Sequence, residues 1–266
     1  MQQPIISFIS DFGLDDTWVG VCHALIARAC PDAVVVDLGH QVPAFDVRAG
    51  ASMAAAGVHQ LPDAIHLVVV DPGVGGSRRD LVVVTKRGTL LVGPDNGILL
   101  PASRRGGGIA LVVALPQPSQ GAPTFHARDV LAPAAAALAC GSSAESLGEV
   151  VDPASLVAAP FGEAVRDGDY VLGEVLEADR FGSLRLSIPC DDLDSLGLRS
   201  DRVEIGLGHN TLAVPFGKTF CEVPEGEPIA LVDASGWLVL AVNLGSALER
   251  YGVVPGVPVR VRALRE

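Results

Sequence analysis

The 266-residue sequence contains no uninterrupted apolar run near the roughly 18 residues that a membrane-spanning helix needs, so a membrane span is excluded. Its opening stretch, MQQPIISFISDFG, lacks the basic segment and small-residue cleavage site of a secretory signal. Cysteine is sparse and scattered. Cys22, Cys30, Cys140, Cys190 and Cys221 are odd in number and include no Cys-x-x-Cys pair. That pattern argues against a disulfide framework or a zinc site and for reduced thiols in a cytoplasmic protein. Positive charge is also in short supply: 19 Lys and Arg against 31 Asp and Glu give a formal net charge of −12. Such a surface repels phosphate backbones, which excludes nucleic acid as a partner but suits a cationic small substrate. The histidines other than His126 are dispersed, with no His-Glu-x-x-His spacing, so no metal is expected. Internal repeats and low-complexity tracts are absent.

What is present is a large supply of core: 49% of residues are hydrophobic, enough for one large domain or two ordinary ones. The stretch IHLVVVDPGVGGSRR (65–79) organises the reading. Leu67-Val68-Val69-Val70 is a short apolar run, β-branched at three of four positions, as in a strand covered on both faces. It ends at Asp71-Pro72-Gly73, followed by Gly75-Gly76 and Arg78-Arg79. A carboxylate at the carboxyl end of such a strand stands where open α/β sheets bind ligands. An ordinary turn with a solvated Asp and two solvated Arg reads equally well from this segment alone.

In chain order, a strand over 5–10 precedes a loop and a helix over 19–29, with Asp15, Asp16 and Thr17 as candidate N-caps. A second buried strand follows over 33–37, then an alanine-rich helix over 46–58 and the central strand. This order predicts a parallel sheet with right-handed crossovers. A hairpin is expected over 81–92, a strand over 109–115 and a helix over 130–138. After about residue 150 the pattern changes to short β-type runs between Gly, Asp and Pro turns, which predicts an all-β sandwich or barrel. The sequence therefore reads as α/β. A domain over 1–152 has a mostly parallel sheet flanked by helices, 153–166 is a linker, and a smaller all-β domain covers 167–266.

Several short motifs fail for lack of context. Asp11-Phe12-Gly13 matches a kinase triplet only in letters. Gly217-Lys218-Thr219 resembles the end of a phosphate-binding loop, but Leu212 stands where that motif needs glycine. Gly73 to Gly76 could cradle a phosphate through backbone N–H groups, yet no lysine or helix start follows. Asp11 also follows a buried strand, where a carboxylate can accept two hydrogen bonds from a ribose diol; a helix cap is the plainer alternative. His126 precedes a helix, facing either a cleft or the core.

Taken together, the blocks SDFGLDDTWVG, VDLGHQVPAFDVRAGA, IHLVVVDPGVGGSRR, VGPDNGIL, PTFHARDV, ADRFGSL and SGWLVLAVN resemble one family in succession. It is the adenosine-forming S-adenosyl-L-methionine (SAM) hydrolases, also called SAM hydroxide adenosyltransferases, relatives of the fluorinase and chlorinase. The resemblance implies an α/β domain and a C-terminal β-barrel. It also implies a homotrimer, with SAM held between the N-terminal domain of one subunit and the C-terminal domain of its neighbour. SAM is the substrate, and no metal or cofactor takes part. The family's Asp–Arg–His set falls on Asp71, Arg78 and His126. Its ribose aspartate falls on Asp11, its methionine-side aspartate on Asp16 and its loop aromatic on Phe45. Asp179 and Phe181 match the block that holds methionine and flanks adenine, while Phe220 and Asn243 are placed like adenine contacts. Two positions depart from the pattern: Ser183 replaces the usual asparagine, and Ala234 the serine that commonly precedes Ser235.

Attack at C5′ of SAM expels neutral methionine, so no general acid is needed and the task concerns the nucleophile. Holding water in line with the C5′–S bond can contribute about 7–11 kcal/mol, and a positioned base roughly 10²–10⁴-fold in rate. Asp71 and His126 in such a site favour water over a halide, since a carboxylate opposes an anion. A non-catalytic SAM- or adenosine-binding protein and a halide-dependent SAM substitution are the competing expectations.

Overall fold

The computed structural model describes residues 3–117 and 122–264, which divide into two compact units at Pro160 and Phe161. In the first unit the strands are β1 (Ile5–Ser10), β2 (Val34–Gly39), β3 (Ile65–Val69), β4 (Asp80–Thr85), β5 (Leu90–Pro94), β6 (Ile109–Leu115) and β7 (Glu149–Val150). The helices are α1 (Trp18–Ala29), α2 (Val47–Gln60), α3 (Leu100–Arg105) and α4 (Ala132–Ala139). The strands form one sheet in the order β2-β1-β3-β5-β4-β6-β7.

This sheet is mixed. β1 pairs in parallel with β2 and β3, and β3 with β5. From β5 onward the pairings with β4, β6 and β7 are antiparallel. β4 therefore runs against its parallel neighbours, and its first residue, Asp80, lies opposite Pro94 at the end of β5. The hairpin thus returns the start of one strand to the edge where β1, β3 and β5 end.

Side-chain alternation explains the layers. Ile6, Phe8, Ile65, Leu67 and Val69 pack in one cluster with Val19, Cys22 and Ile26 of α1 and Leu131, Ala135 and Leu138 around α4. The opposite face lies against α2, where Gly50 meets Val70 and Gly57 meets His66. Strands covered on both sides read as continuous apolar runs, and each large aliphatic side chain so buried contributes about 1.5–3 kcal/mol. His66 is the polar exception in β3. Its Nε2 donates to the Leu61 carbonyl across 3.1 Å and its Nδ1 accepts from the Ser7 hydroxyl at 2.7 Å. Desolvation lowers its pKa to about 4, the Leu61 bond opposing only in part.

One strand differs from expectation. β2 is not buried: it occupies the sheet edge, and Val34 is exposed. An apolar β-branched run identifies a strand but not its place in the sheet. The C-terminal end of the first unit is pinned by Arg79, which binds Asp95 through Nε at 2.9 Å and the Ser155 carbonyl through Nη2 at 2.8 Å.

The second unit has strands β8 (Val165–Asp167), β9 (Tyr170–Ala178), β10 (Leu184–Pro189), β11 (Arg202–Leu207), β12 (Asn210–Pro215), β13 (Pro228–Val232), β14 (Trp237–Val242) and β15 (Pro258–Leu264), with a short helix α5 (Ala247–Tyr251). They pair in the order β12-β11-β15-β9-β10-β14-β13, with β8 against β9. A bridge from Phe216, just after β12, to Ala230 of β13 joins the two ends. The sheet is therefore nearly closed and barrel-like, around a core of Val175, Leu184, Leu186, Val203, Ile205, Leu238 and Leu240.

Candidate active site

Three carboxylates mark the carboxyl edge of the first unit's sheet: Asp11 after β1, Asp71 after β3 and Asp95 after β5. Asp95 is committed to Arg79. The other two face a cavity of about 280 Å³, lined by Asp11, Phe12, Trp18, Phe45, Asp71, Val74, Phe125 and His126 among others. Phe12, Trp18 and Phe125 form an aromatic cluster, with ring centroids 5.6 Å apart for Phe12 and Trp18 and 6.0 Å for Phe12 and Phe125. None of these three rings was singled out as a site residue from the sequence.

The Asp71 carboxylate is gripped from two sides by the Arg78 guanidinium. Nε donates to Oδ1 across 2.9 Å and Nη2 to Oδ2. Arg78 Nη1 reaches Oδ1 of Asp80, and Oδ2 of Asp80 lies 2.7 Å from Nδ1 of His126. All four side chains are largely enclosed, Asp80 completely so. The structure thus joins the three expected residues into one chain, Asp71–Arg78–Asp80–His126, through a fourth that was not expected.

Proton positions follow from the partners. An ionised Asp80 beside a guanidinium can only accept, so Nδ1 of His126 must carry the hydrogen. That nitrogen cannot then also accept from Arg78 Nη2, and the 3.2 Å approach between them is a contact of two donors. In the neutral ring, Nε2 of His126 then carries the lone pair. With the imidazole in its neutral form, two carboxylates and one guanidinium give the group a net charge of −1, which favours a cation nearby.

Glycine geometry brings the loops together. Gly75 has φ +76°, and a Cβ there would stand 2.6 Å from the Pro123 carbonyl oxygen. The 71–78 loop therefore packs directly against the segment that carries His126. Its N–H groups close turns within the loop, Val74 N to Asp71 O at 3.2 Å and Gly76 N to Gly73 O at 3.1 Å, so the glycines serve packing here. Beyond His126 the backbone forms a π-helical turn, Ala127–Leu131, before α4; such turns recur at functional sites.

Asp11 does not cap α1. Its Oδ2 accepts from the Phe45 N–H at 2.9 Å, while the Phe45 ring is 72% exposed and its backbone holds φ 67°. Asp16 stands apart from the cavity lining, exposed, with its Oδ1 accepting from the Thr17 N–H at 2.7 Å.

In the second unit, Phe181, Ser183, Phe220 and Asn243 come together with Leu244, Ser246 and Glu249 around a hollow of about 570 Å³. Asp179 shapes this wall from behind: its Oδ1 accepts from the N–H groups of Phe181 and Ser183, each at 2.9 Å. Gly182, at φ +80°, lets that turn pass against Ser246. Asn243 Nδ2 donates to the Val223 carbonyl across 2.8 Å, fixing the short helical turn that begins with Phe220. Ser235 is not with this group. It lies in the turn before β14, at the opposite end of that strand from Asn243, with its N–H on Asp233.

An α/β unit with a carboxylate–guanidinium–imidazole chain beside a cavity at the carboxyl edge of its sheet, followed by a barrel-like β unit, fits an enzyme that acts on a small molecule. The chain belongs to the SAM hydroxide adenosyltransferase family: residues 6–148 match its N-terminal domain and residues 173–260 its C-terminal domain. It is 42% identical over 264 residues to the (R)-S-adenosyl-L-methionine hydrolase of Salinispora arenicola, covering 98% of both chains. A fluorinase from Nocardia brasiliensis is 28% identical, covering 98% of this chain and 97% of that one. The crystal structure of an uncharacterized conserved protein from Thermotoga maritima is similar with a TM-score of 0.83 at 33% identity, over 97% of this chain and 99% of that one.

Proposed function

We propose that this chain hydrolyses S-adenosyl-L-methionine to adenosine and L-methionine by in-line attack of an activated water on C5′. The observation that carries this reading is the enclosed Asp71–Arg78–Asp80–His126 chain beside an aromatic-lined cavity. Membership of the family and the 42% identity to a hydrolase support it.

In this scheme water donates a hydrogen bond to Nε2 of His126, which takes its proton as the oxygen bonds to C5′. The C5′–S bond breaks at the same time and its electron pair leaves with methionine, now a neutral thioether. The imidazolium that forms is stabilised by Asp80; opposite charges about 4 Å apart attract by roughly 4 kcal/mol at an effective dielectric near 20. Arg78 offsets the two carboxylates and fixes Asp71 at the water position. The rings of Phe12, Trp18 and Phe125 line the cavity, and a ring face turned to the sulfonium attracts it by about 0.5–2 kcal/mol. Asp11 takes the ribose hydroxyls beneath the Phe45 ring.

The adenine is assigned to the hollow of the second unit, against Phe181, Phe220 and the amide of Asn243, with Ser183 beside them. Asp16 and Asp179 are assigned to the methionine end; Ser235, apart from the hollow, is assigned to substrate contact without a chosen end. The step itself needs no metal or cofactor, because the leaving group is already neutral on departure. A homotrimer is part of the proposal, tested by sedimentation equilibrium. So is a cytoplasmic setting, in keeping with five free thiols. No described helix is long and apolar enough to cross a membrane.

Incubation with SAM and chromatography of the products tests the reading. Adenosine and methionine are expected in equal amounts, with no 5′-halo-adenosine when chloride or fluoride is added. Bound SAM without adenosine above the spontaneous rate would leave a binding protein only. Halo-adenosine would make the chain a halide-dependent enzyme, against the carboxylate at Asp71.

A further inference from the structure

His23, Asp37 and His40 are spread over 18 positions in three different settings: helix α1, strand β2 and the bend after it. The fold brings them to one point. His23 Nε2 lies 2.8 Å from Asp37 Oδ1, and His40 Nε2 lies 2.9 Å from that same oxygen. One ligand-type atom from each residue falls within 4.8 Å of the other two.

Two details distinguish this from an ordinary hydrogen-bonded surface cluster. His40 is buried, its Nδ1 is held by the Ser10 hydroxyl at 2.7 Å, and its ring stands edge-on to Phe8 with centroids 4.7 Å apart. The ring is thus held in place from its far side, as metal-bound imidazoles are, and the Ser10 hydroxyl can accept from Nδ1–H when Nε2 presents its lone pair. The remaining nitrogen, Nε2, is enclosed, and its near polar neighbour is the Asp37 oxygen at 2.9 Å, poorly aligned for a hydrogen bond. An enclosed nitrogen and a carboxylate facing each other at poor hydrogen-bond alignment are a pair that a cation between them can engage better.

The strand is also shaped for this convergence. Residues three apart fall on opposite faces of a regular strand, yet Asp37 and His40 meet on one side. The pairing of β1 with β2 slips between Phe8 and Ile9, which lie opposite Asp37 and Gly39, so Leu38 is an extra residue. Bulges of this kind re-aim side chains.

We propose that His23, Asp37 and His40 form a binding site for one divalent cation of borderline softness, zinc being the model ion. Two imidazoles and a carboxylate are a ligand set that suits zinc and disfavours magnesium, which demands oxygen. Ligand bonds of about 2.1 Å at tetrahedral angles put donor atoms roughly 3.4 Å apart. The cluster needs to open by about half an ångström to reach that spacing. His23 and Asp37 have the freedom to move, their side chains being 34% and 40% exposed, while His40 stays fixed. The bound ion leaves a fourth position to solvent and ties α1 to the segment after β2. The site is distinct from the Asp71–Arg78–Asp80–His126 chain and independent of the proposed reaction.

Calorimetric titration of chelator-stripped protein with zinc chloride tests the site, with magnesium chloride as the contrast and far-UV circular dichroism confirming the fold of each variant. The expected result is one zinc per chain at micromolar affinity or tighter, no heat from magnesium, and at least tenfold weaker zinc binding in both His23→Ala and Asp37→Asn. Cobalt should give a visible absorption band that both variants lose. Zinc binding of unchanged stoichiometry and affinity in the two variants would place the metal elsewhere and overturn the proposal. Failure of the unaltered protein to bind zinc at millimolar concentration would do the same.

Discussion

Oδ2 of Asp80 receives the Nδ1–H of His126 across 2.7 Å, while the other oxygen of the same carboxylate holds Arg78. One buried residue therefore sets both the tautomer of the proposed base and the place of the guanidinium. Asp80→Asn keeps the shape but removes the charge, and its amide nitrogen can face His126 and turn the ring to the wrong tautomer. The expected outcome is a loss of about 10²-fold in kcat, within the range a positioned base supplies, with little change in KM. The pH dependence of the rate should also change, because the partner of the group that takes the proton is altered. A pH profile of adenosine release checks this, since a purely structural role would shift the melting temperature and leave the profile intact.

Asp11 is tied to Phe45 by a single backbone hydrogen bond at 2.9 Å, leaving its other oxygen for ligand. Asp11→Ala should raise the SAM dissociation constant by at least about tenfold, the equivalent of one charged hydrogen bond of roughly 1.5–3 kcal/mol. Calorimetry with SAM measures it. An unchanged constant would reduce Asp11 to an anchor for the Phe45 loop.

Gly75 touches the Pro123 carbonyl too closely to admit a side chain and sits at positive φ. Gly75→Ala should cost about 1–3 kcal/mol in stability and push the 123–126 segment away from Asp71. Because misplacement by an ångström can cost about 10²-fold, kcat should fall by at least tenfold even where the protein remains folded. Urea titration and steady-state kinetics on the same preparation separate the two effects.

His66 is buried neutral, its pKa lowered from 6.5 to about 4 by desolvation. The unfolded chain takes up this proton below 6.5 and the folded one only near 4, so stability is retained above 6.5 and lost as pH falls between those values. The slope is about 1.4 kcal/mol per pH unit. Between pH 7 and pH 5 the unaltered protein should therefore lose about 2 kcal/mol more than His66→Gln, whose amide can still face Ser7 and Leu61. Urea unfolding at the two pH values gives the difference.

The sequence revealed most where periodicity is strong. The runs at 5–10 and 65–69 are strands covered on both faces, and Asp71, Arg78 and His126, grouped by the family resemblance, are neighbours in the fold. Asp80 was invisible because a charge heading an apolar strand after two arginines looks like a solvated turn. Only the antiparallel return of β4 makes it a buried partner. The β2 sequence reads as a buried strand because nothing in an apolar run marks a sheet edge. α3 and α5, at six and five residues, are too short for periodicity to register. The π-helical turn after His126 follows a spacing that a 3.6-residue pattern does not encode. His23, Asp37 and His40 escaped notice because no metal motif has their spacing; a bulge and a helix packing together create it.

β4 has a further consequence. It is hydrogen-bonded along both margins, to β5 and to β6, so Asp80 heads a strand tied on both sides. Arg78 is two residues from that ladder. The charged groups in the proposed chemistry are thus set in a frame before any ligand arrives, and substrate capture cannot rearrange them cheaply. Variation among relatives that keep this frame should fall on the rings and loops around the cavity, altering which molecule enters rather than how its bond is broken.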